Sequence, residues 1–403
     1  MLWMLKKASY RAYQRGLKVV AAILGVPTPE LSSGPGSLRA LPEIIKSHRV
    51  DPVFVVTDKG LVAAGLVERL LNALRENHIS FTVYDEVQPN PTIQNVEDGL
   101  KLYLANRCQG IVAFGGGSPM DCAKLIGARA SNPKRSVHAM RGLLKVRKKL
   151  PPLFAVPTTA GTGSETTVAA VISDPETHEK FAVADPKLVP AVAVLDPELM
   201  LGLPPHITSA TGMDALTHAI EAYIGQIGTK FTNENAEQAT RIIFRDLEAV
   251  YKDGSDLERR NNMALASFYG GTAFTRAYVG YVHAIAHNMG GLYGVPHGLA
   301  NAIILPHVLR FCRKEAEQKL ARLARAGGIG SASDSDEALS YRFIEKIESM
   351  NRNMGIPTTI KELQDKDVPL IAERALKEAH PDYPVPRIMN RQECETLVRK
   401  LLH

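Results

Sequence analysis

The chain has 403 residues, of which 45% are hydrophobic and 22% are charged, and its formal net charge is +6. This length exceeds that of one typical core and predicts two domains, and the composition is that of a well-packed globular protein. A nucleic-acid-binding protein would concentrate its basic excess on one element with interleaved aromatic residues; here the only concentrated excess lies at the N-terminus, and we expect no nucleic-acid partner.

The first thirty residues form a basic segment. Residues 1–29 carry five lysine or arginine residues and no acidic residue, and the apolar run 19–24 is too short to span a membrane. The features of a cleavable signal peptide are also missing. We expect an amphipathic helix that packs on the protein body and no transmembrane segment. The alternative is a surface helix that contacts anionic lipid or a partner.

The four cysteines are widely spaced and form no C-x-x-C pair. This pattern predicts reduced thiols and argues against a disulfide scaffold or a zinc knuckle. Together with the lack of a targeting segment, it predicts a cytoplasmic location.

The first half of the chain alternates short apolar runs with helical patterns over 60–78 and 92–106. The first three runs begin 29 residues apart, which is typical of parallel βαβ units. Two further runs, 168–173 and 180–185, flank a turn and predict a hairpin. The sequence therefore predicts a doubly wound, Rossmann-like parallel sheet. Its expected strands are 52–57, 81–85, 110–114, 153–157 and 191–195.

The pattern changes after the proline-rich stretch LGLPPH at 201–206. Beyond it, helical periodicity replaces the strand-like runs. We therefore predict an α/β domain over 1–204, with a basic helical extension at 1–30, and an all-helical domain over 205–403. The expected helices are 208–226, 232–251, 256–276, 281–291, 298–326 and 335–354.

Two loops at predicted strand ends have the composition of a nucleotide site. The first runs from Gly115 to Ser118, before a helix opened by Pro119, where bare backbone and a helix N-terminus favour phosphate. The alternative is a tight turn that binds nothing. The second loop, 156–167, is rich in small and hydroxyl residues and follows another strand. Ligands of α/β sheets bind beyond such strand ends, so two neighbouring loops favour a nucleotide crevice.

Asp58 ends the first predicted strand. Its carboxylate could accept hydrogen bonds from a ribose 2′-hydroxyl and repel a 2′-phosphate. An ordinary helix N-cap is the alternative, since aspartate is a good one. Position alone does not choose between the two.

Histidines and one aspartate form a candidate metal site. Asp214 and His218 are one helical turn apart, and His283 and His287 repeat that spacing. His297 follows a glycine- and proline-containing turn that allows the chain to bend back. Buried imidazoles and a buried carboxylate need partners, and a divalent ion satisfies several at once. The zincin pattern H-E-x-x-H is absent, because position 284 is alanine.

Four segments, in this order, resemble the iron-containing (group III) alcohol dehydrogenase family. The resemblance extends from about residue 33 to the C-terminus, so the first thirty residues lie outside it. The segments are GGGSPMDCAK at 115–124, PTTAGTGSE at 157–165, GMDALTHAIEAY at 212–223 and HAIAHNMGGLYGVPHG at 283–298.

The resemblance implies a Rossmann-like N-terminal domain, an all-α C-terminal domain, an active site in the cleft between them, and a homodimer or larger assembly. It implies that Asp214, His218, His283 and His297 bind Fe2+ or Zn2+. The dinucleotide residues that it implies, with Asp58 favouring NAD over NADP, are Asp58, Asn90, Gly116, Gly117, Ser118, Asp121, Thr158, Thr159, Thr162 and Lys180.

The implied activity is hydride transfer between NAD(H) and a primary, or also a secondary, alcohol, with the metal as a Lewis acid that lowers the pKa of the alcohol. By resemblance His287 lies beside the substrate, and we predict that it relays the alcohol proton. Phe274 matches a residue of the substrate pocket. Arg276 departs from many relatives; it would bind an anionic substrate group or, as we prefer, act as a structural or interface charge.

Other functions remain as alternatives. Within the wider superfamily these are a polyol dehydrogenase, a hydroxyacid oxidoreductase and a dehydroquinate-synthase-like lyase. The lyase would need a basic cluster for a phosphorylated substrate, whereas the metal-bearing segments are mainly apolar. A metal-dependent hydrolase would need neither Asp58 nor the glycine loop, and a nucleotide sensor would not need four metal ligands.

Overall fold

The computed structural model describes residues 2–176, 179–331 and 333–403. They form two compact units. An α/β unit comprises Val26–Leu203 and Ser255–Phe268, and a helical unit comprises the segment that ends at Gly25 together with Pro204–Gly254 and Tyr269–His403. The chain thus divides at Leu203/Pro204, but the predicted ranges 1–204 and 205–403 differ from these units because the N-terminal segment and residues 255–268 each belong to the other unit.

A six-stranded parallel sheet forms the centre of the α/β unit. Its strand order is β1-β9-β6-β4-β2-β3, and a smaller sheet has the order β5-β8-β7, with β7 and β8 antiparallel. The predicted hairpin is thus confirmed, although residues 177–178 of its turn lie outside the described residues. The strands are β1 (Glu30–Ser33), β2 (Val53–Val56), β3 (Phe81–Tyr84), β4 (Gly110–Gly115), β5 (Gly142–Leu143), β6 (Leu153–Pro157), β7 (Ala169–Asp174), β8 (Glu179–Ala184) and β9 (Val192–Leu195).

The four central strands of the main sheet, β9, β6, β4 and β2, are buried on both faces. Successive side chains of a strand point to opposite faces, so Val53 and Val55 join one apolar cluster while Phe54 and Val56 join another. Cores on both faces explain why these strands read as continuous apolar runs. The predicted doubly wound sheet is therefore confirmed.

Helices cover this sheet. Between β2 and β3 the predicted single helix over 60–78 is wrong, because the chain breaks at Gly65, which has a left-handed φ of 70° and separates α3 from α4. The predicted helix over 92–106 is confirmed, and the Thr92 and Asn95 side chains form its capping box. The helices are α2 (Leu41–Ser47), α3 (Lys59–Ala63), α4 (Leu66–Glu76), α5 (Ile93–Ala105), α6 (Gly117–Ser131) and α7 (Val137–Met140).

The helical unit contains α1 and the helices that follow Leu203, except for the part of α10 up to Phe268, which belongs to the α/β unit. The six helices predicted between 208 and 354 are confirmed with ends shifted by a few residues, whereas α14 and α15 were not predicted. The helices are α1 (Leu2–Leu24), α8 (Pro205–Ile224), α9 (Lys230–Lys252), α10 (Leu257–Ala277, whose first residues belong to the α/β unit), α11 (Tyr281–Tyr293), α12 (His297–Ala326), α13 (Asp336–Asn353), α14 (Val368–Ala379) and α15 (Arg391–Arg399).

The N-terminal segment forms α1, and one side of this helix is bound to the helical unit. Gln14 is buried, and Arg11 donates hydrogen bonds to the carbonyl oxygens of Val385 and Pro386. These contacts are those of the expected helix packed on the protein body. Among the described residues, no helix combines the length and apolar character needed to cross a bilayer.

The four cysteines are Cys108, Cys122, Cys312 and Cys394. All four are buried and none forms a disulfide, as predicted. Burial raises the pKa of the Cys312 and Cys394 thiols to about 12, so both are protonated at neutral pH.

Candidate metal centre

Helix α8 supplies two of the four predicted metal ligands. Asp214 and His218 lie one turn apart, with side chains that are 3% and 5% exposed. Fifteen residues of this helix are buried, which makes it a central helix of the unit, and its apolar surroundings raise the pKa of the Asp214 carboxyl, an effect that the neighbouring His218 opposes. A buried carboxylate beside imidazoles requires a compensating partner.

His283 and His297 come from α11 and α12. His297 is the first residue of α12, and Gly298 follows it. A Cβ atom at Gly298 would collide with the carbonyl oxygen of Ala210 and lie 3.3 Å from Cβ of Asp214. Glycine at this position therefore allows α12 to begin directly against α8, which brings His297 to Asp214.

The four side chains converge on one point. Their ligand atoms all lie within 4.8 Å of one another. Oδ1 of Asp214 lies 4.0 Å from Nε2 of His218, 3.9 Å from Nε2 of His283 and 3.6 Å from Nε2 of His297. Two atoms that both bind one zinc or iron ion at about 2.1 Å can be at most about 4.2 Å apart. The three Nε2–Oδ1 distances lie within this limit, and together with the set of one carboxylate and three imidazoles they fit a single divalent ion.

Glu221 fixes the orientation of His283. Its Oε2 lies 2.6 Å from Nδ1 of His283 and accepts from the backbone N–H of Gly280, while Oε1 accepts from the N–H of Val282. Burial raises the pKa of Glu221 to about 7, against the effect of these three donors, and lowers the pKa of His283 to about 3. His283 is therefore a neutral imidazole that donates from Nδ1 and turns the lone pair of Nε2 toward the other ligands.

Asn301 lies among the same ligand atoms, one turn after His297 on α12. Its Nδ2 donates to Asp214 Oδ1 at 2.6 Å and lies 3.3 Å from Nε2 of His283 and 3.1 Å from Nε2 of His297. An amide nitrogen has two hydrogens, whereas three acceptors face it. This excess of acceptor atoms in a buried place is what a cation would satisfy.

His287 does not share in this convergence. Its Nδ1 lies 2.8 Å from Glu378 Oε1, and the hydroxyl of Tyr383 donates to the same oxygen at 2.8 Å. Burial would raise the pKa of Glu378, but the positive charge of the protonated form of His287 and the bonds from His287 and Tyr383 outweigh burial and hold this pKa below its usual range. The His287 ring stacks on the ring of His297 with a centroid distance of 5.2 Å, so it lies directly beside the candidate metal site.

Phe274 and Arg276 have different surroundings. The ring of Phe274 stacks on that of His218, at 4.1 Å between centroids. The guanidinium of Arg276 donates to the carbonyl oxygen of Thr272 and lies over the ring of Phe231. Both contacts agree with the structural charge that we preferred, and the role of Arg276 stays a prediction.

The two predicted nucleotide loops are neighbours in the α/β unit. They follow β4 and β6, which pair in parallel, and the N–H of Thr158 donates to the carbonyl oxygen of Gly115. A Cβ at Gly117 would lie 3.1 Å from Cγ2 of Thr162, and one at Gly116 would lie 3.5 Å from Oγ1 of Thr159. Glycines thus allow the two loops to touch, with the N-terminus of α6 between them.

Two charged residues of α6 tie it to the second loop. Asp121 accepts from Oγ of Ser164 at 2.8 Å and from the N–H of Val171 at 2.9 Å. Lys124 is fully buried and donates to Oγ of Ser164 and Oγ1 of Thr167. Burial lowers the pKa of Lys124 to about 8.

The remaining predicted dinucleotide residues lie near these loops or cap a helix. The N–H of Asn90 donates to Oγ of Ser118, and Nζ of Lys180 donates to Oδ1 of Asn90 at 2.8 Å. Asp58 follows β2 and caps α3, since its Oδ1 accepts from the N–H of Leu61 at 3.0 Å. Asp58 therefore acts as a helix N-cap, one of the two roles predicted for it, and the cap uses one of its two carboxylate oxygens.

Comparison with known proteins identifies the family. Residues 27–197 match iron-containing alcohol dehydrogenases, and residues 208–402 match the C-terminal part of the Fe-containing alcohol dehydrogenase family. The chain belongs to the iron-containing alcohol dehydrogenase family. It is 40% identical over 371 residues to the 1,3-propanediol dehydrogenase of Klebsiella pneumoniae, covering 91% of this chain and 95% of that protein.

Two further members of the iron-containing alcohol dehydrogenase family are similar to this chain over nearly their whole length. The NAD-dependent methanol dehydrogenase of Bacillus methanolicus is 35% identical over 371 residues, which are 92% of this chain and 97% of that protein. The solved structure of an alcohol dehydrogenase from Oenococcus oeni superposes with a TM-score of 0.90 at 34% identity, over 94% of this chain and 99% of that chain. As a family member the protein is an NAD-dependent alcohol oxidoreductase.

Sequence reasoning missed the residues that support the predicted side chains, namely Glu221, Asn301, Glu378 and Tyr383. Glu221 and Asn301 follow His218 and His297 by three and four positions, a helical spacing that could have indicated them. Glu378 and Tyr383 lie about ninety residues after His287, and no local pattern connects them.

Proposed function

We propose that Asp214, His218, His283 and His297 hold one divalent ion, Fe2+ or Zn2+. The convergence of their four ligand atoms in a buried place supports this proposal. When bound, the ion would supply a Lewis acid that polarises the oxygen of the alcohol or aldehyde. The choice between iron and zinc depends on availability as well as on geometry, so metal analysis has to decide it.

The proposed dinucleotide site consists of the two neighbouring loops and Asp58. The backbone at Gly116 and Gly117 and the hydroxyl of Ser118, at the N-terminus of α6, would hold the pyrophosphate. Asp121 would keep the loops together through its bonds to the second loop. The other proposed contacts are Asn90, Thr158, Thr159, Thr162 and Lys180.

We propose that Asp58 makes the protein prefer NAD to NADP. Its Oδ1 is engaged as an N-cap, and its second oxygen could accept a ribose hydroxyl. The negative charge would repel a 2′-phosphate. The NAD dependence named for the Bacillus methanolicus relative agrees with this choice. The bound nicotinamide would accept or supply the hydride.

We propose that His287 accepts the hydroxyl proton of the alcohol. Because Nδ1 of His287 faces the Glu378 carboxylate, its proton sits on Nδ1 and its Nε2 carries a lone pair. Nε2 can therefore accept the hydroxyl proton during alcohol oxidation and return it during aldehyde reduction. Glu378 would stabilise the imidazolium form in between.

The proposed substrates are small aliphatic primary alcohols and their aldehydes, with diols and secondary alcohols as the nearest alternatives. The Klebsiella pneumoniae relative is named for a diol and the Bacillus methanolicus relative for methanol. The aromatic ring of Phe274 would form an apolar wall beside His218. We further propose a homodimer or larger homo-oligomer, as the family resemblance implies, and a cytoplasmic location, which the unpaired buried cysteines favour.

One experiment tests the reaction. The purified protein is loaded separately with Fe2+ and Zn2+, and oxidation of NADH and NADPH is followed with aldehydes, ketones and hydroxyacid precursors of increasing size. We expect oxidation of NADH with short aldehydes and little oxidation of NADPH. The proposed substrate class is wrong if no short aldehyde supports turnover with either metal. Light scattering and subcellular fractionation test the assembly and the location.

A further inference from the structure

Helix α1 lies before the family match, which begins at residue 27, yet one of its faces is fitted to the helical unit. Its partly or fully buried residues follow a helical spacing, whereas Met4, Leu5 and Arg15 are exposed. Among the side chains of α1 that the structure describes, the inward ones are Trp3, Lys7, Tyr10, Arg11, Gln14 and Leu17.

The inward face binds the irregular segment 381–386. Gln14, only 2% exposed, donates from Nε2 to the carbonyl oxygens of Pro381 at 2.9 Å and Tyr383 at 2.8 Å. Arg11 donates to the carbonyl oxygens of Val385 at 2.7 Å and Pro386 at 2.8 Å, and also to Oε1 of Gln14. Irregular backbone must find hydrogen-bond partners outside regular structure, and α1 provides them here.

Tyr383 of this segment is connected through Glu378 to His287, the proposed proton carrier. Its hydroxyl donates to Oε1 of Glu378, and the same oxygen lies 2.8 Å from Nδ1 of His287. Gln14 therefore binds the backbone carbonyl group of Tyr383, and the hydroxyl of Tyr383 binds the same oxygen of Glu378 as His287 does.

A second set of contacts connects α1 with the beginning of α11. The ring of Tyr10 packs on the ring of His380 with a centroid distance of 5.0 Å. Nε2 of His380 lies 2.6 Å from the hydroxyl of Tyr281, which also accepts from the N–H of Met389. Tyr281 is the first residue of α11, the helix that carries His287. Helix α1 thus contacts the supports of both partners of the His287–Glu378 pair.

We propose that α1 is a positioning element of the active site, which holds segment 381–386 through Gln14 and Arg11 so that Glu378 stays fixed against His287. This inference rests on the proposed role of His287 as the proton carrier. Gln14 and Arg11 are positioning residues, because they reach His287 only through Tyr383 and Glu378.

The test compares Gln14→Ala with Arg15→Ala, an exposed neighbour on the same helix, in the full-length, metal-loaded enzyme. We expect Gln14→Ala to lower kcat for alcohol oxidation on the order of 10-fold, less than the roughly 100-fold that displacement of a catalytic group by about 1 Å can cause. Metal content and the KM for NAD should stay unchanged. Arg15→Ala should match the parent in all of these quantities.

A double-mutant cycle separates positioning from general destabilisation. If Gln14 acts through Glu378, Gln14→Ala should lower kcat little further in a Glu378→Gln background. The proposal is overturned if Gln14→Ala and Glu378→Gln lower kcat independently, so that their effects multiply in the double variant. It is also overturned if Gln14→Ala lowers the melting temperature and leaves kcat unchanged.

Hydrogen exchange separates this inference from the role of His287. Gln14→Ala should increase exchange in residues 378–386, and Arg15→Ala should not. If His287→Ala leaves kcat intact, the proton-carrier role is wrong, and the exchange data still decide whether α1 holds the segment. Equal exchange in the two variants would show that it does not.

Discussion

Oε2 of Glu221 and Nδ1 of His283 lie 2.6 Å apart on neighbouring helices of the helical unit, although 62 positions separate them in the chain. The same carboxylate accepts the backbone N–H groups of Gly280 and Val282 at the beginning of α11. It therefore fixes both the tautomer of one proposed ligand and the start of the helix that carries it. A Cβ at Gly280 would lie 2.7 Å from Oε1 of Glu221, so glycine is required for this approach.

Replacing Glu221 with glutamine should weaken metal binding while preserving the shape of the side chain. Loss of such an outer carboxylate typically costs 10- to 100-fold in metal affinity, and we expect a decrease of about that size. Competition with a chelator measures the affinity directly. Glu234→Gln, an exposed change on α9, is the matched control and should leave the affinity unchanged.

Removing the metal should destabilise the helical unit. A ligand at about 1,000 times its dissociation constant stabilises the folded state by about 4 kcal/mol, and removal returns four convergent groups to an uncompensated state. Three of the four groups are buried and His297 is partly exposed, and the convergence of all four on one point carries the expectation. We expect chelation to lower the melting temperature of the parent protein and re-addition of metal to restore it.

Substitution of single histidines gives the control for that measurement. His297→Ala should abolish most of the shift, because it removes one ligand. His206→Ala, at an exposed position of α8, should keep it. An equal shift in the parent and in His297→Ala would contradict the proposed ligand set.

Five of the six strands of the main sheet and the four-residue metal constellation were predictable because their signals are local. Buried strands give continuous apolar runs, and one helical turn fixes Asp214 relative to His218. The ranking of the histidines came from the family resemblance and not from spacing, since His283 and His287 are equivalent by spacing alone.

Other features depend on tertiary contacts. Strand β1 is a four-residue edge strand, mostly exposed, so its pairing with β9 leaves no apolar run in the sequence. The break between α3 and α4 depends on the left-handed conformation of Gly65, which an amphipathic pattern does not reveal. The bond between His287 and Glu378 joins residues 91 positions apart, and only the folded chain brings them together.

Asp58 should decide between the two dinucleotides through its charge and not through its cap. Asp58→Ser retains a good N-cap for α3 but removes the charge, whereas Asp58→Ala removes both. Repulsion between charges about 4 Å apart amounts to about 1 kcal/mol in water and more near a protein surface. Asp58→Ser should therefore lower the KM for NADPH relative to that for NADH by about 5-fold or more.

The alanine variant isolates the cap. It should show the same change in cofactor preference as Asp58→Ser, together with an additional loss of about 1 kcal/mol in stability. Steady-state kinetics with both cofactors and urea unfolding measure the two effects. An unchanged ratio of KM values in both variants would assign Asp58 to the cap alone.

His380 should make the stability of the protein sensitive to mild acid. Burial and, to a smaller extent, the nearby Lys6 lower its pKa to about 4, while its Nε2 lies 2.6 Å from the Tyr281 hydroxyl and Tyr10 packs on its ring. In an unfolded chain histidine titrates near pH 6.5. Between these values the unfolded state binds more protons than the folded state, so the free energy of unfolding falls as the pH decreases from about 6.5 toward 4.

The size of this effect is at most about 1.4 kcal/mol per pH unit, reduced by the partial exposure of the ring. His380→Gln retains a side chain that can hydrogen-bond to Tyr281 but does not titrate, so its unfolding midpoint in urea should change less between pH 7 and pH 5 than that of the parent. His206→Gln, an exposed control, should behave like the parent. Because the metal ligands titrate equally in all three proteins, the difference between them isolates His380, and equal pH dependence would show that its ring is protonated at little cost in the folded state.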